Sequence, residues 1–230
     1  MCTVSFYKNN DQVILTSNRD EHFKRGNALP PLKYSTQNFQ SIYCQDTKSL
    51  GTWMALRNDG TAIVLLNGAF EMHRHEPLYK KSRGLVLLDI INNKNCLQTF
   101  KGYDLTKIEP FTIILYNNDR LFECIWNGNK KHMEEKFVKQ ASIWSSVTLY
   151  ELPYRLRKKA LYEQLIKSKD KLNTEDLLQF HNSKEDLENG FVINRNNQLL
   201  TFSITQIVLN KTSKIFYHHD LFNQKIYSLM

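Results

Sequence analysis

The order of elements along the chain predicts an α+β domain in which helices pack on mainly antiparallel sheets. Three observations support this fold class. Strand-like segments with hairpin signals fill the first third of the 230 residues, two helix-like segments follow residue 154, and a strand pair lies near the end. The length suits one domain, so we expect a single domain over residues 1–230.

The predicted strands lie at 2–7, 12–17, 40–45, 51–57, 61–67, 111–117 and 120–126. Asn9, Asn10 and Asp11 indicate a hairpin turn between the first two, and Asp59-Gly60 indicates another. Residues 22–38 are polar and contain two prolines, which is typical of a loop. Residues 83–92 are apolar nearly all round, so a buried helix and a buried strand both fit.

A helix is predicted over about 154–168, and a second one begins at the N-cap Asn173 with Asp176 in its first turn. Segments 199–209 and 213–218 form a closing hairpin. The first helix has one apolar face at helical spacing, and we expect that face to be buried. Its residues are Leu156, Ala160, Leu161 and Leu165.

The composition is that of an ordinary globular protein, with 41% hydrophobic and 23% charged residues. No segment approaches the ~20 apolar residues of a membrane span, and the first residues do not resemble a secretory signal. We therefore expect a cytoplasmic protein. The four cysteines are widely scattered, which favours neither a zinc site nor a disulfide framework. We expect no metal and no cofactor.

The net charge of +8 raises the question of a nucleic-acid partner. The lysines are spread along the chain, and no nucleic-acid-binding motif accompanies them. A solvated basic surface explains the charge better, because net charge bears on solubility and non-specific binding. We expect no nucleic-acid partner.

Cys2 stands out among the cysteines because of the predicted first hairpin. A turn centred between Asn9 and Asn10 pairs residues whose numbers sum to 19, which places Cys2 opposite Ser17. The segment 18–20 then emerges beside Cys2. A slip by one residue would turn the apolar side chains to the wrong face, so the pattern specifies the register.

The chemistry of Cys2 depends on the residue before it. Initiator methionine is normally removed before a small side chain, which would leave Cys2 with a free α-amino group of pKa near ~7.7–8.0. That amine can accept the proton of the thiol, and a nearby cation such as Arg19 favours the thiolate. Asp20 could orient the amine or hold Arg19. The plain alternative is a small buried residue beside a polar turn.

The sequence resembles the NRDE family, also called the Transport and Golgi organisation 2 family. The segments that carry the resemblance are Met1-Cys2-Thr3-Val4, Leu15-Thr16-Ser17-Asn18-Arg19-Asp20-Glu21, Gly51-Thr52-Trp53, Gly60 with Val64-Leu65-Leu66-Asn67-Gly68, and Ser82-Arg83-Gly84. This family is similar to the cysteine N-terminal-nucleophile hydrolases, the branch of penicillin V acylase and bile salt hydrolase. The resemblance implies a four-layer αββα sandwich of two antiparallel sheets.

The resemblance also implies roles for individual residues. Cys2 matches the nucleophile, Asp20 matches the aspartate that holds the amine, and Asn67 matches an asparagine of the oxyanion hole. Arg19 joins them as a catalytic candidate. The residues expected to bind or orient the substrate are Asn18, Glu21, Trp53 and Ser146. The implied activity is cleavage of a small non-peptide amide or acyl substrate through an acyl-enzyme.

Three positions depart from the hydrolase pattern. Ser17 stands where the hydrolases have an arginine, Ser146 where they have a second oxyanion asparagine, and Phe202 or Ser203 where they have a late arginine. Losing one oxyanion donor typically lowers the rate by ~10²–10³. The alternative is therefore a non-catalytic carrier or binding protein for a hydrophobic ligand such as haem, a lipid or acyl-coenzyme A.

The family association with secretion, with lipid and coenzyme A homeostasis and with haem movement also implies this alternative. Two histidine pairs could offer axial ligands to haem, although such pairs are usually polar surface. They are His73 with His75, and His218 with His219.

Overall fold

The computed structural model describes residues 2–74, 76, 78–139 and 141–230, Cys2 by its backbone alone. The chain forms two compact units. The first combines the two ends of the chain, up to Asn27 and from Lys139 onward, and the second comprises Ala28–Val138. Among the described residues, no helix is long and apolar enough to cross a bilayer.

The first unit contains a seven-stranded antiparallel sheet in the order β10-β1-β2-β12-β13-β14, with β11 paired to β12. Two helices, α3 and α4, accompany it. A short 3-10 helix, Phe23–Arg25, follows β2. The bounds are β1 Cys2–Lys8, β2 Gln12–His22, β10 Ser142–Ser145, α3 Leu152–Ser168, α4 Thr174–His181, β11 Asn194–Arg195, β12 Leu199–Asn210, β13 Lys214–Asp220 and β14 Lys225–Leu229.

The second unit contains a seven-stranded antiparallel sheet whose strands follow one another in chain order, from β3 to β9. Helices α1 and α2 lie between β6 and β7 in the chain. The bounds are β3 Leu32–Ser35, β4 Gln40–Tyr43, β5 Met54–Arg57, β6 Ala62–Asn67, α1 Arg83–Ile91, α2 Cys96–Gly102, β7 Phe111–Asn117, β8 Arg120–Trp126 and β9 Lys131–Lys136.

Each unit buries an apolar face of its helices against its own sheet. In the second unit, residues of α1 and α2 form one cluster with β5 to β8. In the first unit, Tyr162 of α3 and Leu177 of α4 pack with Tyr7, Ile14 and Val208 of the sheet. Burial of such side chains contributes most of the stability of each helix, since short helices are marginal alone.

The helices and central strands confirm the sequence predictions. The ambiguous segment 83–92 is a helix, capped by Ser82. The predicted Asn173 cap is a complete capping box with Asp176. The sequence prediction missed α2 and five strands, β3, β9, β10, β11 and β14, the first of which lies inside the predicted loop 22–38.

The predicted buried face of α3 was wrong. Leu156 is more than half exposed, whereas Lys158 and Tyr162 are the buried residues of the helix. Polar groups of the sheet accept hydrogen bonds from the buried side chains of this face. The Lys158 ammonium donates to Thr3, and the Tyr162 hydroxyl donates to the Phe6 carbonyl. A search for apolar residues at helical spacing could not find a face built in this way.

The predicted register of the first hairpin was wrong by two residues. Cys2 pairs with Arg19, and Lys8 pairs with Val13. The turn is wider than predicted because the Asn9 side chain accepts from the backbone N–H groups of Asp11 and Gln12. A shift by two residues keeps every side chain on its face, so the apolar pattern is satisfied equally well.

Two glycines of the family motifs contact each other in the second unit. A Cβ on Gly51 would lie 2.6 Å from the Gly84 carbonyl carbon, and one on Gly84 would lie 2.8 Å from the Thr52 carbonyl oxygen. The loop before β5 therefore touches the first turn of α1 backbone to backbone. The Thr52 N–H donates to the Gly84 carbonyl across this contact, at 3.4 Å.

Replacing Gly84 by alanine is expected to lower the free energy of unfolding by about 1–3 kcal/mol, because the new methyl group meets backbone atoms that have no room to move. Gly102→Ala is the matched control, since a Cβ there meets nothing within 4 Å. Urea unfolding of both variants checks the expectation. Equal stability of the two variants would contradict it.

Candidate active site

The start of β1 lies between two strands. On one side Cys2 pairs with Arg19 of β2. On the other side Thr3 pairs with Ser145 of β10, and Ser146 follows directly. The register thus brings three candidate positions, Cys2, Arg19 and Ser146, to one end of the sheet.

The motif Asn18-Arg19-Asp20-Glu21 continues β2, so its side chains alternate between the two faces of the sheet. Asn18 and Asp20 contact groups from the helix side of the first unit. Arg19 lies on the opposite face, with its Cζ 5.5 Å from the centre of the Phe202 ring. This alternation explains why the asparagine and the aspartate are spaced two residues apart.

Asp20 is fully buried, and two hydroxyl groups hold its carboxylate. Thr201 Oγ1 donates to Oδ1 at 2.7 Å, and the Tyr150 hydroxyl donates to Oδ2 at 3.0 Å. Burial raises the pKa of Asp20, and the charge of Lys158 opposes that rise together with the two hydrogen bonds. The carboxylate is therefore a buried charge whose ionisation depends on its neighbours.

Lys158 of α3 is the buried cation near this carboxylate. Its Nζ donates to Thr3 Oγ1 at 2.9 Å and lies 3.3 Å from the centre of the Tyr150 ring. Burial lowers the pKa of Lys158 to about 7, while Asp20 favours its charged form. Arg195 approaches the same ring, with its Cζ 5.7 Å from the ring centre.

Asn18 ties β2 to the end of α4. Its Nδ2 donates to the backbone carbonyls of His181 and Phe191, at 2.9 and 3.0 Å. Its Oδ1 contacts His181 Nδ1, and Ser5 Oγ lies 2.7 Å from His181 Nε2. Burial lowers the pKa of His181 to about 3, so the imidazole is neutral, and both ring nitrogens have partners. Asn18 thereby has a positioning role for β2.

The face of the sheet that carries Arg19 becomes polar toward Cys2. Ser203 pairs with Arg19 and Thr205 pairs with Ser17, with a bulge between Thr201 and Ser203. The hydroxyl oxygens of Ser17 and Ser203 are buried and have no hydrogen-bond partner among the described residues. Ser17, where the resemblance expects one arginine, and Ser203, one of the two positions where it expects the other, thus both lie next to Arg19.

Glu21 and Ser146 are held by local contacts. Glu21 Oε1 accepts from the His22 N–H at 3.0 Å. Burial acts to raise the pKa of Glu21, yet its pKa lies below the ordinary value, and this hydrogen bond and the guanidinium groups of Arg25 and Arg19 contribute to the lowering. Ser146 is buried, and its Oγ lies 3.0 Å from Thr148 Oγ1 in the turn before α3.

Asn67 and Trp53 belong to the second unit. Asn67 ends β6, where it pairs with Phe111 and precedes Gly68. Gly68 has a φ of 84°, and its carbonyl accepts from Thr112 Oγ1 at 3.0 Å, which fixes the backbone just after Asn67. Trp53 is buried just before β5, and its carbonyl accepts from the Leu65 N–H at 2.8 Å.

Two of the four candidate haem ligands, His73 and His218, have protein partners. His218 is buried, with Nδ1 2.9 Å from Thr205 Oγ1, and burial lowers its pKa to about 4. His219 is half-buried. His73 Nε2 lies 3.1 Å from Glu109 Oε1, and His75 lies outside the described residues. Within the described part of the chain, no three His, Cys, Asp or Glu side chains form a group that could hold a metal ion.

Sequence reasoning missed the residues that support Asn18 and Asp20. They come from four separate segments: Tyr150, Lys158, His181 and Thr201. One signal was available, because Lys158 lies midway between Tyr154 and Tyr162 at four-residue spacing, on the aromatic face of α3. A lysine within an aromatic helix face is a candidate for a buried, paired charge.

Comparisons with known proteins identify the family and the fold. The family model described as Transport and Golgi organisation 2 matches residues 1–226. A sequence search of curated proteins finds no match.

Two solved structures share the fold of the whole chain. A mutant of the conjugated bile acid hydrolase from Clostridium perfringens superposes with a TM-score of 0.67 at 11% identity, covering 100% of this chain and 92% of the other. The Caenorhabditis elegans orthologue of N-acylethanolamine-hydrolyzing acid amidase gives 0.64 at 14% identity, covering 100% of both. These likenesses confirm the predicted fold class.

The buried His181 predicts how stability responds to acid. An unfolded histidine binds a proton near pH ~6.5, whereas His181 in the folded protein stays neutral until about pH 3. The stability that the neutral His181 contributes is therefore complete above pH ~6.5, and it is lost progressively as the pH falls from ~6.5 to about 3. His181→Gln should be less stable than wild type at pH 7, and the gap should narrow by about 1.4 kcal/mol per pH unit below pH ~6.

Urea unfolding between pH 7 and pH 4.5 measures this narrowing. His132→Gln is the control, since His132 is exposed on β9 and its loss should leave the slope unchanged. A constant gap between wild type and His181→Gln would show that His181 takes up its proton equally in both states.

Proposed function

The chain belongs to the Transport and Golgi organisation 2 family, and we propose that it is a hydrolase of small non-peptide amide or acyl substrates with the Cys2 thiol as nucleophile. The observation that carries the proposal is the register of the first hairpin, which sets Cys2 opposite Arg19 and next to the strand position of Asp20. The fold shared with a bile acid hydrolase and an acid amidase supports it.

The proposed reaction begins with removal of Met1. The α-amino group of Cys2 then accepts the thiol proton, and the Arg19 guanidinium stabilises the thiolate. Asp20 holds the resulting α-ammonium group. Because the carboxylate is buried and its other acceptor sites receive two hydroxyl groups, its position is fixed before the substrate arrives.

The thiolate attacks the substrate carbonyl carbon and forms a tetrahedral intermediate. Its collapse breaks the bond to the leaving group, which takes the proton from the α-ammonium, and leaves a thioester on Cys2. Water, deprotonated by the α-amine, then releases the carboxylic acid and the free thiol. The resemblance gives Asn67 the role of oxyanion donor, and this assignment rests on that resemblance alone.

Arg19 compensates for the two departures from the hydrolase pattern in this proposal. Ser17 stands at one position of the expected arginines and Phe202 or Ser203 at the other, and Ser17 and Ser203 both flank Arg19 on the same face of the sheet. One guanidinium at the central position can serve the thiolate directly. The loss of two cations also lowers the positive charge of the site, which favours substrates with a neutral rather than an anionic group there.

The second candidate function is a non-catalytic carrier of a hydrophobic ligand such as haem, a lipid or acyl-coenzyme A. The observation that favours it is Phe202, whose ring stacks on Phe222 with centroids 5.6 Å apart and approaches Arg19. An apolar ring thus lies beside Arg19, at one of the two positions where the resemblance expects the late arginine. Saturable binding of haem or acyl-coenzyme A at micromolar concentration, equal in wild type and Cys2→Ala, is the result this candidate predicts.

The hydrolase proposal predicts that the mature protein begins at Cys2 and that Cys2→Ala reduces turnover to background. An intact-mass measurement reads the first, and assays with an N-acylethanolamine and a conjugated bile acid read the second. Cys124→Ala is the control, because Cys124 is buried in the second unit and should leave turnover unchanged. A mature protein that retains Met1 would contradict the proposal, since the thiol would then have no free α-amine.

A further inference from the structure

A lysine side chain is buried directly behind β1. Lys158 of α3 is 2% exposed, and its ammonium donates to Thr3, the residue next to Cys2. Rings of Tyr150 and Phe191 lie 3.3 and 5.2 Å from Nζ. A fully buried lysine is rare and costs several kcal/mol unless a counter-charge offsets its desolvation.

The counter-charge is Asp20. Among the influences on Lys158, the Asp20 carboxylate is the one that most favours the charged form, and Lys158 is likewise the one that most favours ionised Asp20. Tyr150 joins the two, since its hydroxyl donates to Asp20 Oδ2 and its ring faces Lys158. The three groups therefore form one buried polar unit on the helix side of the sheet.

We propose that Lys158 is a positioning residue for the N-terminal site: its ammonium keeps the buried Asp20 carboxylate ionised and holds the start of β1 through Thr3. This inference rests on the proposed function, because ionised Asp20 is the group that would hold the α-ammonium of Cys2. Lys158 itself touches neither the substrate nor the nucleophile in this scheme. It acts through Asp20 and through the backbone of β1.

The other charged and titratable groups around Lys158 do not replace it. Asp186, beyond α4, also favours the Lys158 charge, while Arg195 of β11 opposes it. His181 of α4 feels the Lys158 charge, but its own burial keeps it neutral. Lys158 is therefore the cation that offsets the desolvation of Asp20 from the helix side.

Removal of the Lys158 ammonium changes the pKa of Asp20 in a definite direction. Without Lys158, Asp20 keeps its burial and its two hydroxyl donors but loses the charge that most opposes protonation. Its pKa must then rise, since desolvation favours the neutral acid. Because the proposed reaction needs the carboxylate, the acid limb of the activity profile must move to higher pH by the same amount.

The test compares Lys158→Met with Lys159→Met, which removes an equal charge from an exposed position of the same helix. The carboxyl carbon of Asp20, labelled with ¹³C and assigned by its loss in Asp20→Asn, is titrated by NMR in each protein. We expect the Asp20 midpoint to rise by at least one pH unit in Lys158→Met and to stay unchanged in Lys159→Met. The acid limb of turnover should move with it.

An unchanged Asp20 midpoint in folded Lys158→Met would overturn the inference. If Lys158→Met does not fold, the wild-type titration decides: Asp20 ionised at pH 7 supports the pair, and Asp20 protonated at pH 7 overturns it. A shifted Asp20 midpoint in a protein without any Cys2-dependent turnover would support the pair and refute the proposed hydrolase. Cys2-dependent turnover whose acid limb does not move in Lys158→Met would support the proposed hydrolase and refute the positioning role of Lys158.

Discussion

The buried carboxylate of Asp20 is the constraint on which the rest of the first unit depends. A buried carboxyl group needs partners for its oxygens, and here Thr201 and Tyr150 donate to them. The positive charge of Lys158 favours the ionised form from a third segment. Those partners fix where β12, the turn before α3 and α3 itself lie against β2. The same contacts explain why α3 buries a lysine where an apolar residue would be expected.

Successive side chains of β2 alternate between the two faces of the sheet, so residues that position the strand lie on one face and the candidate catalytic residue Arg19 lies on the other. Asn18 and Asp20 face the helices and are held there by protein partners, whereas Arg19 lies on the face where Cys2 is its cross-strand neighbour. The motif therefore supplies two residues that position β2, Asn18 and Asp20, and one candidate residue of the active site, Arg19. A positioning network on one face lets a rigid strand present the other face, which is what pre-organised catalysis or tight binding requires.

The sequence predicted what periodicity and turn chemistry encode. The central strands, the first hairpin, helix α3 and the capping box at Asn173 were all found. Four of the five missed strands, β3, β9, β10 and β14, are the edges of the two sheets, and the fifth, β11, has only two residues and pairs with β12 alone. Edge strands are short, charged or exposed, as in Lys131–Lys136, so they carry no apolar alternation to detect. The predicted register of the first hairpin was wrong because a shift by two residues leaves every side chain on the same face of the sheet, so the apolar pattern does not distinguish the two registers.

The candidate site was predicted in part for the same reason. Motif residues adjacent in sequence, Asn18 to Glu21, were identified together with Cys2, but their supports lie some 130 to 180 residues away in the chain. Only the folded chain brings Tyr150 and Thr201 to Asp20. Lys158 could have been suspected from its place between two tyrosines of α3, yet its partner could not have been named from the sequence.

The central claim is that Cys2 lies in surroundings that favour its thiolate. The most direct measurement is the pH dependence of Cys2 alkylation by iodoacetamide, followed by mass spectrometry, since Cys44, Cys96 and Cys124 are buried and do not compete. We predict an alkylation midpoint well below the ordinary thiol pKa of ~8.5, because Arg19 and the α-amino group both stabilise the thiolate. A midpoint at or above that value would contradict it.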